Sequence, residues 1–150
     1  MVEPPGDRIL VTGALGQIGT ELVSELRKKH GNDTVLATDI REPDNDRYFP
    51  EGPFCNLSVL DGEAMEKTVT DEGIGTVYHL AAILSATGEK NPELCHRVNV
   101  GGTVTVLDVA RDFGLKVFAP SSIAVFGPDS PKVAPQKATL NPSTTYAKTK

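Results

Sequence analysis

The sequence has few of the residues that would indicate a disulfide-rich, metal-binding or nucleic-acid-binding protein. Its two cysteines, Cys55 and Cys95, lie far apart and outside any C-x-x-C or histidine-paired spacing. Neither a disulfide framework nor a metal site is therefore predicted. Lysine and arginine number 15 against 20 acidic residues, with no block of either sign, which argues against a nucleic-acid partner.

Long apolar runs are also absent from the sequence. No window approaches the length of a membrane span, and the polar, proline-rich N-terminus has neither a basic region nor an apolar region of the kind found in signal peptides. We therefore expect a soluble protein that does not bind a membrane and resides in a reducing cytoplasm.

Short apolar segments alternate with segments of helical spacing. Strands are predicted at residues 8–12, 34–39, 54–57, 76–79 and 116–119, and helices at residues 17–30, 61–71 and 91–113. This alternation is typical of an α/β fold with a doubly wound parallel sheet, which binds ligands at the carboxyl ends of its strands. A chain of 150 residues suits one domain. The proline-rich residues 121–143 form a loop of a length that is usually functional or mobile.

A glycine-rich turn follows the first strand. Gly13, Gly16 and Gly19 stand at three-residue intervals just where the first helix begins. Glycines in this arrangement allow a tight turn and a close approach of backbone N–H groups to a pyrophosphate. Asp39, at the end of the second strand, can accept hydrogen bonds from both hydroxyls of an adenosine ribose and would repel the 2′-phosphate of NADP. NAD is therefore the predicted cofactor. Arg41 is the residue that leaves NADP as an alternative.

Tyr146 and Lys150 end the chain, four residues apart. On a helix the two side chains would lie on the same face about one turn apart. A free tyrosine titrates at a pKa of about 10 and becomes a useful base only when a nearby positive charge stabilises the phenolate. The spacing is common by chance, so its interpretation depends on the rest of the chain.

Five motifs occur together in one order: the glycine turn, Asp39, His79-Leu80-Ala81-Ala82, Ser121-Ser122 and Tyr146-x-x-x-Lys150. In this respect the chain resembles the extended, epimerase-like short-chain dehydrogenase/reductases from residue 8 onward. Two stretches, residues 79–103 (HLAAILSATGEKNPELCHRVNVGGT) and residues 120–132 (PSSIAVFGPDSPK), are most similar to the NAD-dependent L-threonine 3-dehydrogenases of that group.

The resemblance implies hydride transfer from the β-carbon of L-threonine to NAD⁺, which gives 2-amino-3-oxobutyrate. Tyr146 would be the base, and Lys150 would lower the pKa of Tyr146. Ser122 would orient the substrate hydroxyl, and the adjacent Ser121 is the alternative for that role. Ser85 would contact the substrate. Asn99 would complete the catalytic set. The implied cofactor-binding residues are Gly13, Gly16, Gln17, Ile18, Gly19, Asp39, Ile40, Leu57, Leu80, Ala81, Ala82, Asn99, Tyr146 and Lys150.

Several of these residues also have structural interpretations. Gly101 and Gly102 follow Asn99 within a predicted helix, where each glycine costs about 1 kcal/mol relative to alanine and so needs close packing or a local bulge. Asn99 is therefore open to a packing role. The two serines can cap a turn after a strand. His79 ends an apolar strand and is predicted to be a satisfied core residue without a chemical role.

Three functions remain open: a threonine dehydrogenase, a nucleotide-sugar epimerase or dehydratase of the same superfamily, and a non-catalytic NAD-binding module. Residues 84–90 favour the first. The family's proteins carry a C-terminal substrate domain and often form homodimers. We therefore expect residues 1–150 to be the NAD-binding domain, truncated after the Tyr-x-x-x-Lys motif and nearly inactive alone, with Tyr146 and Lys150 poorly ordered.

Overall fold

One parallel sheet organises the chain. The computed structural model describes residues 6–44 and 49–150. The strands are β1 (Arg8–Thr12), β2 (Val35–Asp39), β3 (Phe54–Asn56), β4 (Ile74–His79) and β5 (Lys116–Phe118). They pair in parallel in the order β3-β2-β1-β4-β5. The predicted doubly wound α/β fold is confirmed.

The helices begin and end near the predicted residues. They are α1 (Gln17–His30), α2 (Gly62–Asp71), α3 (Ser85–Lys90), α4 (Pro92–His96), α5 (Gly102–Phe113) and α6 (Thr145–Lys148). Asp61 caps α2 by accepting a hydrogen bond from the Ala64 N–H at 3.0 Å, and Gly114 ends α5 with a φ of 69°. The sequence did not predict α3, because its six residues are too few to show helical periodicity.

Both faces of the central strands β1 and β2 are buried, as is typical of a parallel sheet, whereas the edge strand β5 is partly exposed. On one face, residues of the strands pack against α2 and α5; this cluster includes Leu10, Leu36, Val77, Met65, Val69, Val106 and Val109. On the other face, strand residues pack against α1; this cluster includes Ile9, Val11, Val35, Ala37, Val23 and Leu26. Adjacent residues of β1 therefore point into opposite halves of the core, and helices cover both faces.

The long helix predicted over residues 91–113 contains a change of helical type. Between α4 and α5 the chain forms a π-helical segment, Arg97–Gly101. Gly102, which follows it, lies against Val59, where an added Cβ would come within 2.6 Å of Val59 Cγ2. The two glycines thus coincide with both a local bulge and a close approach, which accounts for their position in a helix.

The C-terminal residues differ from their prediction. Tyr146 lies in α6, where Thr144 Oγ1 accepts a hydrogen bond from the Ala147 N–H at 3.1 Å, and the Lys150 N–H donates to the Ala147 carbonyl at 3.2 Å. The expectation that Tyr146 and Lys150 are poorly ordered was wrong, because other elements hold this short helical turn in place.

Four strand bounds need smaller corrections. β2 begins at Val35 and β5 ends at Phe118, each one residue inside its predicted bound. β3 ends at Asn56, so Leu57 follows the strand, and β4 begins at Ile74, two residues before the predicted start. Among the described residues, no helix is both long enough and apolar enough to cross a membrane.

Candidate cofactor site and active site

The glycine turn between β1 and α1 is so tightly packed at Gly13 and Gly19 that a side chain does not fit at either position. Gly13 has a φ of 68°, and an added Cβ would lie 2.7 Å from the Ala81 backbone nitrogen. An added Cβ on Gly19 would lie 2.4 Å from the Gly13 carbonyl oxygen. Both contacts are with backbone, which cannot move aside cheaply. These two glycines therefore let β1, α1 and the segment after β4 come together.

The N-terminus of α1 has no side-chain cap among the described residues. Its N-cap is Gly16, which makes no side-chain capping bond, so the first N–H groups of this 14-residue helix are available to an anion in the described part of the chain. Gln17 and Ile18, in the first turn, are both exposed. Uncapped N–H groups beside a turn whose Gly13 and Gly19 admit no Cβ fit the pyrophosphate of a dinucleotide.

Asp39 connects the end of β2 to this turn. One carboxylate oxygen accepts a hydrogen bond from the Leu15 N–H at 3.1 Å, and the other accepts from the N–H and the Nε of Arg41 at 3.1 and 3.2 Å. The side chain of Asp39 is only 7% exposed, whereas that of Arg41 is 59% exposed. Asp39 is thus a buried residue that is hydrogen-bonded to the glycine turn, not an unrelated surface acid.

An open pocket of about 530 Å³ lies beside the turn and Asp39. Its walls are Leu15, Gly16, Gln17, Thr20, Arg41, Glu42, Asp44 and Phe49. Phe49 is packed beneath the guanidinium of Arg27, which binds the carbonyls of Pro50 and Pro53 at 2.6 and 2.5 Å. Of the other residues predicted here, Ile40 is exposed and Leu57 is buried in the core at 6% exposure. Their cofactor contacts stay predictions.

His79 connects the ends of three elements through a chain of hydrogen bonds. The Thr103 hydroxyl donates to the Asn99 carbonyl at 2.6 Å and so must accept from His79 Nε2 at 3.1 Å. His79 Nδ1 then accepts from the Thr12 hydroxyl at 2.9 Å. Thr12 Oγ1 in turn accepts from the N–H groups of Leu80 and Ala81. The chain of bonds requires a neutral imidazole with its proton on Nε2.

The pKa of His79 agrees with that assignment. Burial, and secondarily the positive charge of Lys150, lowers its pKa from 6.5 to about 4. His79 is thus the satisfied core residue that the sequence predicted, and its partners hold the backbone of Leu80 and Ala81 beside the glycine turn.

Asn99 lies in the π-helical segment and is buried. Its Oδ1 accepts from the Ile83 N–H at 2.7 Å, and its Nδ2 donates to the Ile83 carbonyl at 3.0 Å and to Thr149 Oγ1 at 2.9 Å. Thr149 Oγ1 donates to the Tyr146 carbonyl at 2.7 Å. One amide therefore ties the segment after β4 to the turn that carries Tyr146. These bonds support a positioning role, while direct contact of Asn99 with a ligand stays a prediction.

Tyr146 and Lys150 are both half-buried. Burial lowers the pKa of Lys150 from its usual 10.5. The Ser121 hydroxyl donates to the Lys150 carbonyl at 3.2 Å, whereas Ser122 Oγ accepts from the Ala124 N–H at 3.2 Å and begins a short 3₁₀ turn, Ile123–Val125. Both serines therefore have structural partners next to the Tyr-x-x-x-Lys turn. Ser85, the predicted substrate contact, is exposed at the start of α3.

Sequence reasoning missed three hydroxyls and one arginine in this region. They are Thr12, Thr103, Thr149 and Arg27. The four-residue spacing of Asn99 and Thr103 placed them on the same helical face, and this was the one signal available. The partners of the other residues are distant in the chain and left no local pattern.

Comparison with known proteins agrees with this geometry. The model of the NAD dependent epimerase/dehydratase family matches residues 9–150. An uncharacterized epimerase/dehydratase of Staphylococcus haemolyticus is 50% identical over 141 residues, which make up 93% of this chain and 44% of that protein. The chain thus spans less than half the length of the curated relatives that it matches.

Solved structures give the same result. A monomeric L-threonine 3-dehydrogenase from a metagenome is 54% identical, with a TM-score of 0.88 over 94% of this chain and 45% of that one. The Trypanosoma brucei L-threonine 3-dehydrogenase is 41% identical, with a TM-score of 0.91 over 95% and 45%. A UDP-glucose 4-epimerase is 26% identical, with a TM-score of 0.83 over 95% and 44%.

The matched family uses NAD, and the glycine turn, the uncapped N-terminus of α1 and Asp39 together fit that cofactor. The chain therefore belongs to the NAD-dependent epimerase/dehydratase family, within the extended short-chain dehydrogenase/reductases.

Proposed function

We propose that this chain is the cofactor-binding part of an NAD-dependent L-threonine 3-dehydrogenase. One observation supports the proposal. Thr149, on the turn that carries Tyr146 and Lys150, is hydrogen-bonded to Asn99. Asn99 is in turn bonded to Ile83, in the segment after β4 that packs on the glycine turn. The 54% identity to a solved L-threonine 3-dehydrogenase supports the choice of substrate.

In the proposed reaction, L-threonine loses a hydride from C3 and a proton from the hydroxyl group on C3. NAD⁺, when bound, supplies the acceptor for the hydride that leaves carbon. Tyr146, as phenolate, takes the proton of the substrate hydroxyl, and the C–O single bond becomes the carbonyl of 2-amino-3-oxobutyrate. Ser122 orients that hydroxyl, with Ser121 as the alternative, and Ser85 contacts the substrate from α3.

The Lys150 ammonium stabilises the phenolate. Its half-buried position puts the charge where water screens it less, so it acts more strongly on a neighbouring anion than it would on the surface. The same burial lowers the pKa of Lys150. Activity should therefore be lost at a lower alkaline pH than an ordinary lysine pKa of 10.5 would give.

The test is the substitution Tyr146→Phe. We expect turnover of L-threonine, followed as NADH absorbance, to fall by at least about 10²-fold because the proton acceptor is lost. Tyr78→Phe serves as the matched control, since Tyr78 is a half-buried sheet residue that packs on Phe118. The assay uses this chain and any longer product of its reading frame. Undiminished turnover in Tyr146→Phe would reject Tyr146 as the base.

A nucleotide-sugar epimerase or dehydratase is the second candidate. It is favoured by the description of the curated relatives as epimerase/dehydratases and by the similarity to UDP-glucose 4-epimerase. Turnover of UDP-sugars without turnover of L-threonine would favour this second candidate over the threonine dehydrogenase. Tight NAD⁺ binding without turnover of either substrate would instead support the non-catalytic NAD-binding module.

We propose that residues 1–150 form the NAD-binding domain of the whole protein and that a substrate domain completes the site. We also propose that the whole protein is a cytoplasmic enzyme. A homodimer remains a prediction, because one of the similar dehydrogenases is described as monomeric.

A further inference from the structure

Helix α3 packs closely against the turn that carries Tyr146. Gly88, in the middle of α3, is buried. An added Cβ there would lie 2.8 Å from Cys95 Sγ and 3.9 Å from Tyr146 Cβ. The absence of a side chain therefore allows the backbone of α3 to approach Cys95 of α4, and the turn that carries Tyr146 lies at ordinary van der Waals distance from the same position.

The next residue of α3, Glu89, binds that turn directly. Its Oε1 accepts a hydrogen bond from the Thr145 N–H at 2.7 Å, and its Oε2 accepts from the Thr145 hydroxyl at 3.3 Å. Thr145 is the first residue of α6 and the neighbour of Tyr146. An N–H at that position has no partner within its own helix, so the carboxylate of Glu89 provides the partner.

α6 depends on such outside contacts because it has only four residues. A single helical turn is unstable in isolation, since fixing its backbone costs more than its own hydrogen bonds return. Glu89 holds its beginning, and Asn99 holds its end through Thr149. With both ends attached, the backbone of Tyr146 has a defined position relative to the glycine turn.

Glu89 and Ser85 also lie four residues apart on α3 and so share a helical face. The carboxylate that binds Thr145 therefore lies one turn from the Ser85 hydroxyl, which is predicted to contact the substrate. This arrangement relates the position of the proposed base to the substrate side of the site.

We propose that Glu89 is a positioning residue for Tyr146, acting through the backbone and hydroxyl of Thr145. The proposal rests on the proposed function, because it assigns Glu89 a part in the reaction of Tyr146. Glu89 is not itself expected to exchange protons with the substrate.

The experiment compares Glu89→Ala with Glu89→Gln. Both substitutions remove the charge, but glutamine keeps an oxygen to accept from the Thr145 N–H and gains an amide to donate to its hydroxyl. In Glu89→Ala we expect kcat to fall about tenfold, because a small displacement of a catalytic group is enough for such a loss. KM for NAD⁺ should change much less than kcat, since the glycine turn and Asp39, which supply most of the predicted cofactor contacts at the pyrophosphate and ribose, are untouched. Glu89→Gln should restore kcat.

Glu93→Ala is the matched control, since Glu93 is an exposed glutamate in the first turn of the next helix. It should leave both constants unchanged. An unchanged kcat in Glu89→Ala overturns the proposal. An equal loss in Glu89→Ala and Glu89→Gln also overturns it, because charge rather than position would then be responsible.

A second measurement separates this proposal from the proposed function. Amide hydrogen exchange at Thr145 and Tyr146, read in the chain without substrate, should speed up about tenfold in Glu89→Ala and remain slow in Glu89→Gln, as expected for one lost charge-assisted hydrogen bond. If the original protein turns over neither L-threonine nor a UDP-sugar but shows this exchange pattern, the enzymatic proposal fails and the positioning by Glu89 stands. Unchanged exchange in Glu89→Ala overturns the positioning.

Discussion

His79 is kept neutral by the structure around it. Burial, and secondarily the Lys150 charge, lowers its pKa to about 4, and the bonds to Thr12 and Thr103 require the neutral tautomer. In the unfolded chain the imidazole titrates near its ordinary pKa of about 6.5. Between those two values the unfolded state binds a proton that the folded state does not. Stability therefore falls as the pH drops through that window.

We predict that the free energy of unfolding of the protein decreases by about 3 kcal/mol between pH 7 and pH 4 through His79 alone. Urea unfolding across this range measures the change. His79→Gln should remove this part of the pH dependence. His30→Gln is the control, because His30 is exposed and should leave the slope unchanged. Equal slopes in the original protein and in His79→Gln would contradict the prediction.

At the scale of elements, the π-helical segment Arg97–Gly101 determines how the segment after β4 meets the turn that carries Tyr146. Its extra residue per turn interrupts the regular spacing of the helix, and Asn99 lies within it with its amide bonded to Ile83 and Thr149. A regular helix would present a different residue at that point. The bulge is therefore part of the construction of the site.

Asn99→Ala should reduce the free energy of unfolding by about 2 to 4 kcal/mol, because it leaves the N–H and carbonyl of Ile83 without their partner in a partly buried place. Chemical denaturation provides the measurement. Asn91→Ala is the comparison, since Asn91 is an exposed asparagine that caps α4 with one bond to the Leu94 N–H. Its loss should cost only about 1 kcal/mol. A smaller loss for Asn99→Ala than for Asn91→Ala would show that the amide is not a structural link.

At the scale of the whole molecule, the two layers of helices bring the glycine turn, Asp39 and the end of β4 to one edge of the sheet. A dinucleotide that binds only the folded chain stabilises it by RT ln(1 + [L]/Kd), so the gain rises with the logarithm of the ligand concentration. At a concentration of about 100 times its Kd, NAD⁺ should raise the free energy of unfolding by about 2.7 kcal/mol.

NADP⁺ at the same concentration should stabilise the molecule less than NAD⁺, because the buried carboxylate of Asp39 repels a 2′-phosphate. Thermal unfolding with each cofactor gives the comparison. Asp39→Asn keeps an acceptor for the Leu15 N–H and removes the charge, so it should narrow the difference. Equal stabilisation of the original protein by the two cofactors would reject Asp39 as the discriminating residue.

The sequence predicted the architecture well because the relevant signals are local. The bounds of β1 and α1 follow from the apolar run, the glycine spacing and the glycine after His30. Gly101 and Gly102 indicated either a bulge or close packing in the long helix, and the structure has both. The poor order expected for Tyr146 and Lys150 was wrong, because that expectation considered only the short turn and not the elements that hold it.

The sequence by itself therefore determined the alternating strands and helices, the glycine turn and the position of Asp39 at the end of β2, since periodicity, turn chemistry and backbone freedom act between near neighbours. Only the tertiary structure decided which groups meet. Glu89 binds Thr145 across 56 positions of the chain, and Asn99 binds Thr149 across 50. Such contacts depend on how closely whole helices pack. Here Gly88 lets α3 approach α4, and no local sequence pattern encodes the distance between two helices.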